Sequence, residues 1–486
     1  MNDLTTVLSQ GEADLLLVAQ VGAGADSSIP PLISIFYKFW YDWTGLQLFW
    51  YRLPSVLLLL GSCGLFYFFG QRLFGKYLIG ATSLVFMSSW LIGNTAKFAV
   101  SDNWLFAIQL INGLSLLYFV KKASPAWDRV FWITLLLGAA IAPIQMGLYS
   151  GIWWLWLKFR HPKGHQLSNP YLWLLYLPLP LLSNQLGTPL LSDQSSFFNQ
   201  SFFAYKGYFI ALGIGLIPWL GFLPATLVDT FKKWRRSEEM AIILVGWLLA
   251  SLVAKSMVIM LVFSLLIARQ LTAYLLDRYP YKNLVKGGVV LLIILLFCAI
   301  TVGMINSFYG LQALGYRSAM AVGASFWIFS FLGVLGLYAK SRSMIHGGFG
   351  MAGVLFSVLF WTQCNPIIEQ SRSAPRQIVS MMESIPDLRA GTELVWSVDG
   401  LARDNVFQVY QNASYKASQV DVLEVGPPKP AVTGGLPSYK LTEKPLGKEE
   451  EATQDNPLIV RARKKLLGEE MYLLIEPVLL LEEEEQ

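Results

Sequence analysis

IPPLISIFYKFWYDWTG (29–45), YRLPSVLLLLGSCGLFYFFGQRLFGK (51–76) and NTAKFAVSDNW (94–104) decide the fold of this chain. The first follows a short acidic stretch and turns at Pro30-Pro31-Leu32. The second enters an uncharged run through Arg52-Leu53-Pro54-Ser55, and the third carries Lys97 and Asp102 after one more apolar segment. An uncharged run such as 53–71 is long enough to cross the hydrocarbon core of a bilayer as a helix. Cations and carboxylates gathered at such exits, on the face that holds the acidic segment, suit a lipid phosphate and chemistry performed on it.

Working outward, hydrophobic residues make up 54% of the 486 and charged residues 14%, against about 25% charged in soluble domains. With a mean hydropathy of +0.48, the chain reads as a polytopic, all-α membrane protein. Charge is uneven: 24 basic and 12 acidic side chains precede Asn365, while 13 basic and 20 acidic ones follow it. Basic loops on one side of a membrane explain the first part, so nucleic acid is not implied. Cys63, Cys298 and Cys364 form no disulfide framework, and His161, His165 and His346 have no zinc-like spacing.

Apolar runs at about 53–71, 78–95, 104–120, 130–144, 146–160, 169–184, 207–226, 239–254, 257–274, 285–305, 319–338 and 347–364 predict about twelve transmembrane helices. Alternate connections carry Arg72/Lys76, Lys121/Lys122/Arg129, Lys158/Arg160/Lys163, KKWRR (232–236), Arg278/Lys282 and Lys340/Arg342. All six share one side only if 130–160 is a hairpin of two helices; by the positive-inside rule that side is the cytoplasm. The opposite side receives residues 1–52, the Lys97–Asp102 loop, the polar 185–206 loop and everything after Cys364. It also receives seven of the twelve acidic residues that precede the tail, and no carboxylate is expected in mid-helix. Both termini then lie outside with no export segment ahead of them, so a natural first helix is expected to be missing; an assignment wrong by one helix is the alternative.

Three regions follow: an external acidic segment and loop (1–52), a transmembrane helical domain (53–364) and a soluble external domain (365–486). In the last, Ile378, Met381, Met382 and Ile385 predict an amphipathic helix, and TELVWSV, VFQVYQ, VDVLEV, LIVRAR and MYLLIEPVLLL predict strands. A small α/β domain is expected. Trp40, Trp43, Trp50 and Tyr51 read as an interfacial aromatic belt.

The order Pro-Pro-Leu, Arg-Leu-Pro-Ser, then Lys-x-x-x-x-Asp at a membrane exit resembles the GT-C glycosyltransferases, in particular the branch of aminoarabinose transferases and protein O-mannosyltransferases. The likeness covers about residues 10–125 well, the middle helices by topology and the tail hardly at all. It implies a fold of thirteen helices with external catalytic loops, and a sugar transferred from a polyprenyl phosphate to a hydroxyl acceptor with inversion. Neither a nucleotide sugar nor a covalent enzyme intermediate is implied. The Asp-Glu pair of that family falls on GEADLLLVAQ: either Glu12 with Asp14 replaces it, or Glu12 matches the Glu and Gly11 stands where Asp is expected. The His-Pro-Pro turn becomes Ile29-Pro30-Pro31, and a later Lys survives as Lys255 in AKSMVIM.

Transfer from such a donor needs a carboxylate to accept the proton of the attacking hydroxyl and cations to stabilise the departing phosphate. The resemblance gives the first task to Glu12 or Asp14 and the second to Arg52, Lys97 and Lys255. Asp102 would orient Lys97, hold the acceptor, or bind a divalent cation with Glu12 and Asp14, since hard cations prefer oxygen ligands. The expected partners are a polyprenyl-phosphate sugar, a hydroxyl acceptor and membrane lipid, in the plasma membrane with the catalytic face outward. The competing reading is a noncatalytic transporter or lipid-binding protein on the same scaffold. A transporter calls for polar or ionisable groups at broken helices near the midplane, and the sequence offers almost none.

Overall fold

A computed structural model describes residues 16, 30–44, 48–92, 101–122, 124–164, 167, 173, 176, 202–310 and 313–364. Beyond them it describes 393–396, 409, 421–423, 439–445, 459–460 and 471–477. The chain divides into two compact units, residues 23–363 and residues 1–22 with 364–486.

The first unit opens with a helix that the expectation of a loop through residue 52 missed. Helix α1 (Pro31–Thr44) starts with proline at its first position, where no N–H is needed. The Pro30 carbonyl accepts from Ile33 and Ser34 N–H at 3.0 Å each. Leu32, Ile35, Phe39 and Trp43 form its exposed stripe, while Ile33 and Tyr37 are buried. Helix α2 (Leu48–Phe74) contains Pro54. Proline cannot donate to the carbonyl four residues back, and that carbonyl, Trp50 O, is taken instead by Trp40 Nε1 of α1 at 2.8 Å. The Arg-Leu-Pro-Ser entry thus ties the external helix to the first span.

Helices α3 (Lys76–Met87), α4 (Ser101–Lys122), α5 (Pro125–Ala139) and α6 (Pro143–Arg160) follow. The hairpin reading of 130–160 holds, with its break at 140–142. Asn112 of α4 donates through Nδ2 to Phe131 O (3.0 Å) and Thr134 Oγ1 (3.1 Å), and its Oδ1 accepts from Ser150 Oγ (2.9 Å). In one straight helix residues 131 and 150 would stand about 28 Å apart, so a single side chain reaches both only across a hairpin. Of the 169–184 segment, Trp173 and Tyr176 are described, both helical.

Further on come α7 (Phe202–Gly215), a 3₁₀ turn (Trp219–Phe222), α8 (Leu223–Arg235), α9 (Glu239–Val253) and α10 (Val258–Leu275). Then follow α11 (Lys282–Gly310), α12 (Ala313–Ala339) and α13 (Arg342–Leu359), the last closing in a π turn (Phe360–Cys364). Among the described residues six helices are long and apolar enough to cross a membrane, or seven if α7 and the segment after it make one bent span. The six are α2, α4, α10, α11, α12 and α13. Helix α10 is hydrophobic all round and almost wholly buried, as a central helix must be. The equally apolar α11 keeps Leu291, Ile294, Leu295 and Phe297 exposed, which places it at the lipid boundary.

Two expected straight helices are broken. The 78–95 segment stops at Met87, where Ser88 and Ser89 turn their hydroxyls back onto Leu84 O (2.6 Å) and Val85 O (2.7 Å). The 207–226 segment breaks after Gly215 and bends by 100°. The two breaks meet: Trp90 N–H donates to Ile217 O (3.2 Å) and Trp219 Nε1 to Ser88 Oγ (2.9 Å). Each break supplies the backbone partners that the other lacks, which is what lets irregular backbone persist inside a membrane bundle.

The six basic connections are joined at one end of this unit. Lys121 Nζ donates to Leu73 O (2.8 Å), and Arg342 lies over the Tyr77 ring (5.5 Å). Asp277 pairs with both Lys282 (2.7 Å) and Lys340 (2.6 Å). Lys232 lies over Tyr281 (4.8 Å), and His161 meets Glu239 (3.2 Å).

In the second unit five strands form one mixed sheet of order β2-β1-β3-β5-β4: β1 (Glu393–Trp396), β2 (Asp421–Leu423), β3 (Tyr439–Pro445), β4 (Ile459–Val460) and β5 (Met471–Pro477). Strand β1 pairs parallel with β2 and β3, and β5 antiparallel with β3 and β4. Four of the five expected strands are present. In VFQVYQ, Val409 is helical rather than extended. Strand β3 was missed because YKLTEKP is mostly polar on both faces. The helix expected around Ile378–Ile385 lies outside the described residues.

Candidate functional site at the end opposite the basic loops

Arg52 sits in the second turn of α2, and its side chain is buried at 8% exposure. A guanidinium that merely snorkelled to water would be exposed, so the structure favours a held cation. Around it Tyr37 and Tyr51 are fully buried with rings 5.0 Å apart, and Tyr37 Oη shares a hydrogen bond with Ser55 Oγ at 3.0 Å. Tyr51 therefore departs from the expected aromatic belt, whereas Trp43 and Trp50 are exposed as that reading requires.

Asp102 is exposed in the first turn of α4, where a carboxylate complements the positive end of the helix dipole. Two residues later Trp104 meets Phe36 of α1 edge-on at 4.8 Å. Helix α1 thus touches the start of both α2 and α4, and puts Arg52 and Asp102 at the same end of the unit.

Lys255 lies in the short break between α9 and α10, at a positive φ of 49°. The break is fastened from three sides. Ser256 Oγ donates to Gln109 Oε1 of α4 and accepts from Val258 N–H (3.1 Å), capping α10. Gln145 Nε2 of α6 reaches Lys255 O (3.4 Å), and Tyr208 Oη of α7 donates to Ser256 O (3.3 Å). Burial lowers the Lys255 ammonium below the ordinary lysine range, because desolvation disfavours the charged form. An anion beside it would restore that charge.

Arg52, Asp102 and Lys255 are therefore placed at one end, linked through α1 and α4. Glu12, Asp14, Lys97 and the 185–201 part of the polar loop lie outside the described residues. Among the described residues no three His, Cys, Asp or Glu side chains come together to hold a metal ion; Asp102 would have to be joined by Glu12 and Asp14 to do so. Sequence reasoning missed Gln109, Gln145 and Ser256. The sign that could have found them is a neutral hydrogen-bonding side chain two turns into an apolar helix, as Gln109 stands after Asp102, since such groups in membranes bond across helices.

No protein-family model matches this chain, and no curated protein matches it by sequence. Solved structures do. The aminoarabinose transferase ArnT from Cupriavidus metallidurans in the apo state is similar over 97% of this chain and 93% of its own, with a TM-score of 0.57 and 16% identity. ArnT from the same organism bound to undecaprenyl phosphate is similar over 97% and 94%, with a TM-score of 0.59 and 14% identity. At these identities the likeness is one of fold: this chain, with its six helices of membrane length among the described residues, has the fold of ArnT.

Proposed function

We propose that this protein is an integral-membrane glycosyltransferase that moves a sugar from a polyprenyl-phosphate donor to a hydroxyl acceptor. The observation that carries the reading is a fold shared along 97% of the chain with an ArnT structure that holds undecaprenyl phosphate. The buried Arg52 and the desolvated Lys255 support it, since cations placed at one end of the unit suit a phosphate. In this reading the basic end faces the cytoplasm of the inner membrane, and Arg52, Lys255 and Asp102 face the periplasm or lumen. Residues 365–486 form a soluble α/β domain on the same outer side.

Glu12 or Asp14 takes the proton of the acceptor hydroxyl as its oxygen attacks the anomeric carbon. The bond from that carbon to the phosphate oxygen breaks, and the polyprenyl phosphate leaves with the electron pair. Arg52, Lys97 and Lys255 stabilise the charge that develops on it, and the anomeric centre inverts. Asp102 orients Lys97 or holds the acceptor.

The test is turnover of a panel of polyprenyl-phosphate sugars by the purified protein, beside a Glu12→Gln, Asp14→Asn double variant. Release of polyprenyl phosphate by the wild type and its loss in the variant are expected. Full activity in the variant would remove the base assignment. Tight donor binding with no turnover by the wild type would make the protein a lipid binder on a transferase scaffold.

A further inference from the structure

Helix α8 is inside out. Its buried stripe is Ala225, Thr226, Asp229 and Thr230, and its exposed stripe is Pro224, Val228, Phe231 and Arg235. A helix covering a protein in water shows the reverse pattern. The sequence reading placed 227–236 in a basic loop and expected no carboxylate within a helix; Asp229 is both helical and buried. The polar face is satisfied within the protein. The Thr226 hydroxyl donates to Gln270, Lys233 Nζ to Asp229 (2.7 Å), and Tyr279 Oη to Ala225 O (2.7 Å). Val228 and Phe231, 40% and 46% exposed, form the outer face.

The course of the helix explains the inversion. After the 100° bend the chain heads for the basic end, where Lys232 lies over Tyr281. Trp219 packs on Phe349 of α13 (5.5 Å), and Gly221 approaches Gly288 and Val289 near the start of α11. Ala225 meets Tyr279, and Trp234 lies against Trp156 of α6 (5.9 Å). The 3₁₀ turn thus touches α13 and α11, and α8 itself touches the turn after α10 and then α6. Its last turn and the residue after it carry exposed Lys232, Arg235 and Arg236.

We propose that α8 lies in the membrane interface at the basic end and holds an anionic phospholipid. An acyl chain covers Val228 and Phe231, and the phosphate meets Lys232, Arg235 and Arg236. An apolar outer face and terminal cations are together what an interfacial helix on an anionic leaflet needs. The cations make the charge complementarity that distinguishes an anionic headgroup from a zwitterionic one, whose phosphate arrives already paired with an ammonium. This site is at the far end from Arg52 and Lys255, and it does not rest on the proposed transferase activity.

The test uses the full chain in nanodiscs with photoactivatable phosphatidylglycerol or phosphatidylcholine at subsaturating probe, and maps the labelled peptides. The segment 223–236 is expected to label more strongly with phosphatidylglycerol. In an Arg235→Gln, Arg236→Gln variant that label should fall by about 25-fold, roughly fivefold for each cation near the surface, while labelling of α11 stays constant. An Arg235→Lys, Arg236→Lys variant should keep most of it. Should the glutamine pair fail to fold, Lys232→Gln carries the same test at about fivefold. Equal labelling by the two lipids in the wild type, or an unchanged label in a folded glutamine variant, would overturn the site.

Discussion

Replacing Asn112 with leucine tests the hairpin on which the sidedness of the molecule depends. Leucine nearly conserves volume, so the packing term is small, and the polar term can be counted. Three hydrogen bonds across helices are lost, at 3.0, 3.1 and 2.9 Å. Such bonds average about 0.6 kcal/mol each within a membrane, giving about 2 kcal/mol in all. Thr134 keeps its bond to Val130 O (2.8 Å), so Ser150 alone must find a new acceptor. A loss of about 2 kcal/mol is roughly a 30-fold change in the folded-to-unfolded ratio. Reversible unfolding of the purified protein in mixed micelles measures it, and Ser150→Ala should cost about 0.6 kcal/mol. In the double variant the two losses should fall short of additivity by that shared bond. A leucine variant within about 0.5 kcal/mol of wild type, or strict additivity with Ser150→Ala, would mean that α5 and α6 do not both dock on α4. The common end for the six basic connections would then lose its basis.

Two further outcomes follow from close contact and from burial. A Cβ on Gly353 would stand 1.9 Å from Ser88 O, so Gly353→Ala should destabilise by about 1–3 kcal/mol through overpacking. Gly347→Ala, with nothing within 4 Å of its Cβ, should be neutral or slightly stabilising; thermal inactivation of the two in one detergent separates them. For Lys255, burial lowers the folded pKa below the ordinary 10.5, so between those values the folded protein binds fewer protons than the unfolded chain. Wild-type stability therefore rises with pH through that window. Lys255→Met should be more stable than wild type at pH 7, with a gap that closes as pH approaches 10.5. A melting-temperature difference that does not change with pH would refute that sign.

The long spans were legible because an uncharged apolar run of membrane length has few other uses: 53–71 and 104–120 lie within α2 and α4, and 257–274 matches α10 to one residue at each end. The hairpin was legible from charge, since only a reversal near Pro143 puts Lys121, Lys158 and Lys232 on one side. What escaped was every place where tertiary contact overrides a local pattern. The stripe of α1 recurs at residues 32, 35, 39 and 43, a helical period in a segment of 14 residues that is too short to register as a span. The end of α3 is set by Ser88 and Ser89, but serines that bond back to the preceding turn also occur in unbroken helices. It took Trp219 and Ile217, more than a hundred residues away, to make the break permanent. Helix α8 was hidden by polarity: LPATLVDTFKKWR looks like the solvated end of a span until Gln270 and Tyr279 are seen to face its Thr and Asp side chains.

The site divides along the same line. Arg52, Asp102 and Lys255 could be picked from sequence because a charge at a membrane exit is costly unless used. Their neutral holders could not, because glutamine and serine carry no such mark. These holders also bear on the choice between transferase and transporter. The structure does contain broken helices, at Ser88–Ser89 and at 216–218, so the question for transport is whether polar or ionisable groups line them. What argues against it is how those breaks are closed. The bonds between them come from backbone, a serine hydroxyl and an indole N–H, and none of these groups is ionisable. Lys255 stands at a different break, between α9 and α10 and at the end opposite the basic loops. There Gln109 holds the Ser256 hydroxyl, and Gln145 and Tyr208 hold the Lys255 and Ser256 carbonyls. An alternating-access protein needs polar or ionisable groups at its broken helices; here the Ser88–Ser89 and 216–218 breaks bond to each other through neutral groups while Lys255 stands at the break between α9 and α10, a distribution that fits the proposed transferase better than transport.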